Sequence, residues 1–148
     1  MCGLTGFLWR CAGAAGRDAA AVVAAMADAL AHRGPDSSGT WTDPDAGIAL
    51  GHRRLAVVDL SAAGHQPMPS PSGRYVVAFN GEIYDHADMR ADLEAGGTAP
   101  AWRGTSDTET LAAALDAWGI EPTLRRATGM FAMAVWDRAA RRLSLARD

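Results

Sequence analysis

Apolar and polar positions alternate along some stretches of the chain and recur every three to four residues along others, and the contrast gives a first outline. From Cys2 to Trp9, Leu4, Phe7, Leu8 and Trp9 alternate with small residues, which predicts a strand at the very start. Beyond Asp18 the positions Val22, Val23, Met26 and Leu30 share one helical face, and Gly34-Pro35 stops that helix, with His32 near its C-terminal end. Short strands are expected around Thr40 to Thr42, Ile48 to His52 and Leu55 to Val58, with Asp43-Pro44-Asp45 turning between the first two. Ser61 to Gly73 carries Pro67, Pro69 and Pro71 and predicts a surface loop, because proline cannot donate to a ladder. Arg74 to Phe79 reads as a strand, and Asn80-Gly81 with Glu82-Ile83-Tyr84 after it has the composition of a tight hairpin turn.

Helices are expected over His86 to Ala95, closed by Gly96-Gly97, and over Asp107 to Trp118, stopped by Gly119. The second opens on Ser106-Asp107-Thr108-Glu109, a capping-box pattern. A short helix near Pro122 to Ala127 and a hairpin of Met130 to Asp137 with Leu143 to Arg147 complete the outline. Hairpin connections dominate this order, so the expected class is α+β with antiparallel sheets in layers rather than a doubly wound sheet.

Composition tempers the core. Of 148 residues 49% are apolar, yet 32 are alanine, which favours helix and buries little surface. The net charge of -3 argues against a nucleic-acid footprint, and Arg138, Arg141, Arg142 and Arg147 read as a solvated hairpin. Two cysteines, Cys2 and Cys11, make no disulfide framework and suit a reducing cytosol. Arg10 and Arg17 before an Ala-rich run imitate a signal peptide, but Asp18 and Asp28 interrupt the apolar segment, and no uncharged run is long enough to span a membrane. All 14 basic residues are arginine, and asparagine and glutamine occur once each, as Asn80 and Gln66. A rare residue type is informative where it does appear.

Cys2 is the first candidate for chemistry. Removal of Met1 would leave its thiol beside a free α-amine; terminal amines titrate near ~7.7 to 8.0 and thiols near ~8.5, so one residue can supply both base and nucleophile. The alternative is a small buried thiol that happens to come second; Cys11, lacking the amine, reads as structural. Asn80-Gly81 is either only a turn or a pair of oxyanion donors, a side-chain NH₂ and an unshielded glycine N–H. Asp107 is equally an acid stabilised in the first turn of a helix, and Arg54 equally the cap of a strand end. His32, His52, His65 and His86 lack the spacing of a metal site; His52, His65 and His86 read as loop or strand-edge residues.

Met1-Cys2-Gly3, His32-Arg33-Gly34-Pro35-Asp36, Gly51-His52-Arg53-Arg54-Leu55, Gln66-Pro67-Met68, Asn80-Gly81-Glu82-Ile83-Tyr84, Ser106-Asp107-Thr108-Glu109 and Gly129-Met130-Phe131-Ala132 occur in that order. Together they resemble the N-terminal glutaminase domain of the asparagine synthetases, class II glutamine amidotransferases among the N-terminal-nucleophile hydrolases. The resemblance implies αββα layers with antiparallel sheets, and a domain over 1–148 that is incomplete at its C-terminal end, with the synthetase domain absent. It implies Cys2 as nucleophile on the glutamine amide, with Asn80 and Gly81 as the oxyanion hole. Arg54 would pair with the substrate α-carboxylate and Asp107 with its α-ammonium, beside Glu82, while Leu55, Val57 and Val58 would supply strand backbone along the substrate. Arg33 would shape the site.

The partners so implied are glutamine and a synthetase domain that accepts ammonia, with a homodimer in the full-length enzyme, no nucleic acid and no membrane, in the cytoplasm. No cofactor or metal is implied in this chain; ATP and magnesium would belong to the synthetase domain. The alternatives are a related N-terminal-nucleophile amidotransferase with another acceptor, or a non-catalytic fragment.

Overall fold

The computed structural model describes residues 2–9 and 15–148, so Cys11 and Met1 lie outside the described residues. Strand β1 (Gly3–Leu8), helix α1 (Ala15–Asp28), β2 (Ser37–Asp43) and β3 (Ile48–Arg54) form the first half. A short 3₁₀ turn, Ala62–Gly64, leads to β4 (Met68–Pro69) and β5 (Tyr75–Ile83); α2 (His86–Ala95), α3 (Asp107–Trp118), α4 (Ile120–Arg126), β6 (Gly129–Asp137) and β7 (Arg142–Arg147) follow. All strand pairs are antiparallel, in a three-stranded sheet of order β1-β3-β2 and a four-stranded sheet of order β4-β5-β6-β7.

Period-2 alternation explains how the sheets stack. Along β5, Val76 and Ala78 turn to the first sheet, where with Ala134 and Trp136 of β6 they meet Ile48 and Leu50 of β3. Tyr75, Val77, Phe79 and Ile83 turn the other way and pack with Met133 and Val135 against Met89 and Leu93 of α2 and Leu111 and Leu115 of α3. Helix α1 covers the outer face of the first sheet. The result is helix, sheet, sheet, helix, the α+β layering expected.

Several local expectations are corrected. Asn80-Gly81 is no turn: β5 runs straight through it, paired with Ala132 and Phe131 of β6. A Cβ on Gly81 would strike the Met130 carbonyl and the Phe131 backbone, so the glycine answers close strand approach and not a turn. Leu55–Val58 is not a strand; β3 ends at Arg54 and the chain bends away. Helix α1 stops at Asp28, leaving His32 in the turns beyond it. The proline-rich segment is not confined to the surface, since Gln66, Pro67, Met68 and Ser70 are buried and β4 pairs with Val76 and Val77. His52 is neither loop nor edge, but a buried residue of a central strand.

Candidate active site

Cys2 immediately precedes β1, and because Gly3 pairs with Arg53 it stands where β3 gives way to the following loop. Its Sγ accepts a hydrogen bond from Leu55 N–H at 3.4 Å and lies 3.6 Å from the Leu55 carbonyl, in reach to donate. Arg33 Nε donates to the Cys2 carbonyl at 3.0 Å. The Arg-Gly-Pro-Asp loop thus holds the backbone of the nucleophile candidate and leaves its thiol alone.

The outer edge of β5 can be accounted for donor by donor. Phe131 donates to Asp148 Oδ1 and accepts from Asp148 N–H, so its backbone faces away from β5. Gly81, opposite Phe131, therefore turns its N–H and C=O outward, as do Tyr75, Val77, Phe79 and Ile83 at the same parity. Tyr75 N–H is taken by Ser70 Oγ, and Val77 faces Met68 of β4. Beyond the end of β4, Phe79 N–H donates to Gln66 Oε1 at 2.6 Å, the Phe79 carbonyl accepts from His52 Nε2 at 2.9 Å, and Ile83 N–H donates to Asp107 Oδ2 at 3.0 Å. Gly81 N–H alone on this edge meets no acceptor among the described residues, and it adjoins the Asn80 carboxamide.

Asp107 occupies the first turn of α3, 6% exposed. Ser106 Oγ caps the helix by accepting from Glu109 N–H. The reciprocal half of the capping box is not made: Glu109 accepts instead from the N–H groups of Arg103 and Gly104. Arg54 donates to the Ser61 carbonyl at 2.8 Å and to the Asp59 carbonyl, and it lies so close to Gly64 that a Cβ there would overlap the guanidinium. Asp59 ties this loop down by accepting from Ser61 N–H at 2.7 Å and Thr105 N–H at 2.9 Å. Hydrogen bonding from Ser61, then from Thr105 N–H, keeps its carboxyl below the usual range.

One cavity of about 510 Å³ gathers Cys2, Asn80, Gly81, Arg54, Leu55, Val57, Val58, Glu82 and Asp107. These nine were all named as catalytic or substrate-binding candidates from the sequence, although Leu55, Val57 and Val58 line the cavity from a bend and not from a strand, and Arg33, read as shaping the site, does not line it. Gln66, Thr108, Asp59 and Met130 also line it and were not read as site residues. Among the described residues no three His, Cys, Asp or Glu side chains are grouped to hold a metal ion, and no helix is long and apolar enough to cross a membrane.

Two antiparallel sheets lie face to face between helices, with a cysteine ahead of the first strand, an α+β layered class of protein. The chain is similar in fold to the solved Bacillus subtilis glutamine phosphoribosylpyrophosphate amidotransferase complexed with ADP and GMP, with a TM-score of 0.55 and 23% identity, covering 69% of this chain and 23% of that one. The chain belongs to the glutamine amidotransferase domain family, which matches residues 1–148. A Mycobacterium bovis relative is 42% identical over 158 aligned positions, covering all of this chain and 24% of its own. Bacillus subtilis asparagine synthetase [glutamine-hydrolyzing] 3 is 40% identical over 125 residues, 83% of this chain and 19% of that protein. The chain spans about a quarter or less of the length of these relatives.

Proposed function

We propose that the domain hydrolyses the side-chain amide of glutamine and that the ammonia serves asparagine formation in a synthetase domain. The observation that carries this reading is the Gly81 N–H, without an acceptor among the described residues, beside Asn80 in the cavity that also holds the Cys2 thiol. The thiol passes its proton to the Cys2 α-amine, freed by removal of Met1, as sulfur attacks the amide carbon. Gly81 N–H and the Asn80 NH₂ receive the negative oxygen of the tetrahedral intermediate. Collapse breaks the C–N bond, the nitrogen leaves as ammonia with the proton held by the amine, and water then cleaves the thioester to glutamate.

Selectivity comes from the far end of the substrate. Arg54 uses two N–H donors on loop carbonyls and has others to offer an α-carboxylate. Asp107, with Glu82 beside it, suits the α-ammonium. A plain amide would satisfy neither charge, which leaves them unpaired and disfavours it. The hydrolysis proposed here needs no metal or nucleotide; ATP and magnesium would enter only with activation of aspartate in the synthetase domain. Homodimer formation and a cytoplasmic setting belong to the same proposal.

Glutamate release from glutamine, measured for the chain with Met1 removed and for Cys2→Ala and Asn80→Asp, tests the reading. Cys2→Ala should be inactive. Asn80→Asp, which exchanges a donor for an acceptor, should lose about 10² to 10³ in turnover. Equal rates in all three proteins would sink the proposal.

A further inference from the structure

Gln66 is the chain's one glutamine, 5% exposed, and both ends of its carboxamide are engaged. Oε1 accepts from Phe79 N–H at 2.6 Å and Nε2 donates to Thr108 Oγ1 at 3.2 Å. Thr108 Oγ1 donates in turn to Asp107 Oδ1 at 3.4 Å, and Asp107 Oδ2 accepts from Ile83 N–H at 3.0 Å. The bonds leave β5 at Phe79, pass through Gln66, Thr108 and Asp107, and return to β5 at Ile83. They frame Gly81, whose N–H meets no acceptor among the described residues.

We propose that Gln66 is a positioning residue for the oxyanion donors Asn80 and Gly81, and that through Thr108 it couples them to Asp107. The proposal rests on the glutaminase reading above. An oxyanion donor acts only if it is already aimed when charge develops, and on the edge of β5 away from β6 no strand follows the end of β4 to hold it. A carboxamide suits the task because it accepts from the strand and donates to the helix at once. An isosteric apolar side chain would leave Phe79 N–H and the Thr108 hydroxyl buried without these partners. Binding of an α-ammonium at Asp107 and stabilisation of an oxyanion at Gly81 are then linked through one hydrogen-bonded ring.

The test is steady-state glutamine hydrolysis by the chain with Met1 removed and by Gln66→Met, Gln66→Glu and Thr108→Val. A second probe is the aldehyde analogue of glutamine, whose carbonyl carbon adds the Cys2 sulfur while its oxygen takes up the thiol proton and occupies the oxyanion position. Gln66→Met should lower kcat at least about tenfold with KM changed less than about threefold, and the aldehyde should bind more weakly in parallel with kcat. Gln66→Glu, which keeps an acceptor on Phe79 N–H, should retain more of kcat than Gln66→Met. Thr108→Val, which removes the acceptor of Gln66 Nε2 and the donor to Asp107 but keeps the Gln66 bond to Phe79 N–H, should lose kcat by a smaller factor.

A folded Gln66→Met with unchanged kcat, or with kcat lowered but aldehyde affinity unchanged, overturns the proposal. Should Gln66→Met fail to fold, unchanged kcat and aldehyde affinity in Thr108→Val overturn it. No glutamine hydrolysis by the unsubstituted protein overturns the glutaminase reading itself, and this inference with it.

Discussion

Arg54 shows how much a single side chain depends on what its neighbours lack. Its guanidinium is fixed by the Ser61 and Asp59 carbonyls and lies against Gly64, where there is no Cβ to displace it. Gly64→Ala should therefore move the guanidinium. In the role proposed for Arg54 this weakens ground-state binding, so KM for glutamine should rise about tenfold or more with a smaller change in kcat. A KM equal to the unsubstituted value would show that Arg54 is not held by this contact. At this scale the sequence was partly legible. Cys2 stands out by position and Asn80 by rarity. Gln66 carries the same compositional signal as Asn80, one occurrence in 148 residues, but its significance lies in hydrogen bonds to Phe79 and Thr108, 13 and 42 residues away. Only the folded chain displays contacts of that range.

Among elements, β5 is where local sequence and tertiary context diverge. Asn-Gly is a strong turn signal in isolation, yet here the pair continues a nine-residue strand, because Phe131 and Ala132 of β6 supply a partner along its whole length. Helices α2 and α3 matched their expected ranges, since caps and stops are local chemistry. The Ser61 to Gly73 segment did not, since Met68 and Pro69 become strand only by meeting β5. The strand reading of Asn80-Gly81 has a mechanical consequence. Gly81→Ala should push against the β6 backbone and destabilise the fold by about 1 to 3 kcal/mol, the usual range for forced overpacking. Asn80→Ala, with a half-buried side chain free of hydrogen bonds among the described residues, should stay within about 1 kcal/mol of the unsubstituted protein. Urea unfolding of the two variants separates these outcomes, and equal stability would mean that β5 and β6 can part at Gly81 without loss.

Across the whole molecule the two sheets are joined by more than apolar packing, because His52 of β3 donates from Nε2 to the Phe79 carbonyl of β5. This bond needs Nε2 protonated, and the neutral ring suffices. Burial is the main force holding the His52 pKa down, to about 4, with the positive charges of Arg54 and His65 adding to it and the Phe79 hydrogen bond opposing. In the unfolded chain the same ring titrates near ~6.5, so between these values the unfolded state binds the extra proton and the folded state does not. Stability from this source is complete above about pH 6.5 and declines as the pH falls toward 4, by about 3 kcal/mol in all. Asp59 and Asp137 act lower on the scale. Hydrogen bonds, from Arg74 foremost at Asp137, keep both carboxyls below the ordinary 3.8, so their contribution is present above that value and lost as the pH falls through their lowered pKa values. Urea unfolding from pH 7.5 to 4 should therefore show stability falling well before the carboxylates protonate. His52→Gln, which offers a donor to Phe79 and cannot titrate, should flatten that decline whatever its stability at pH 7.5. An unchanged slope in the variant would assign the acid sensitivity to groups other than the bridge between the sheets.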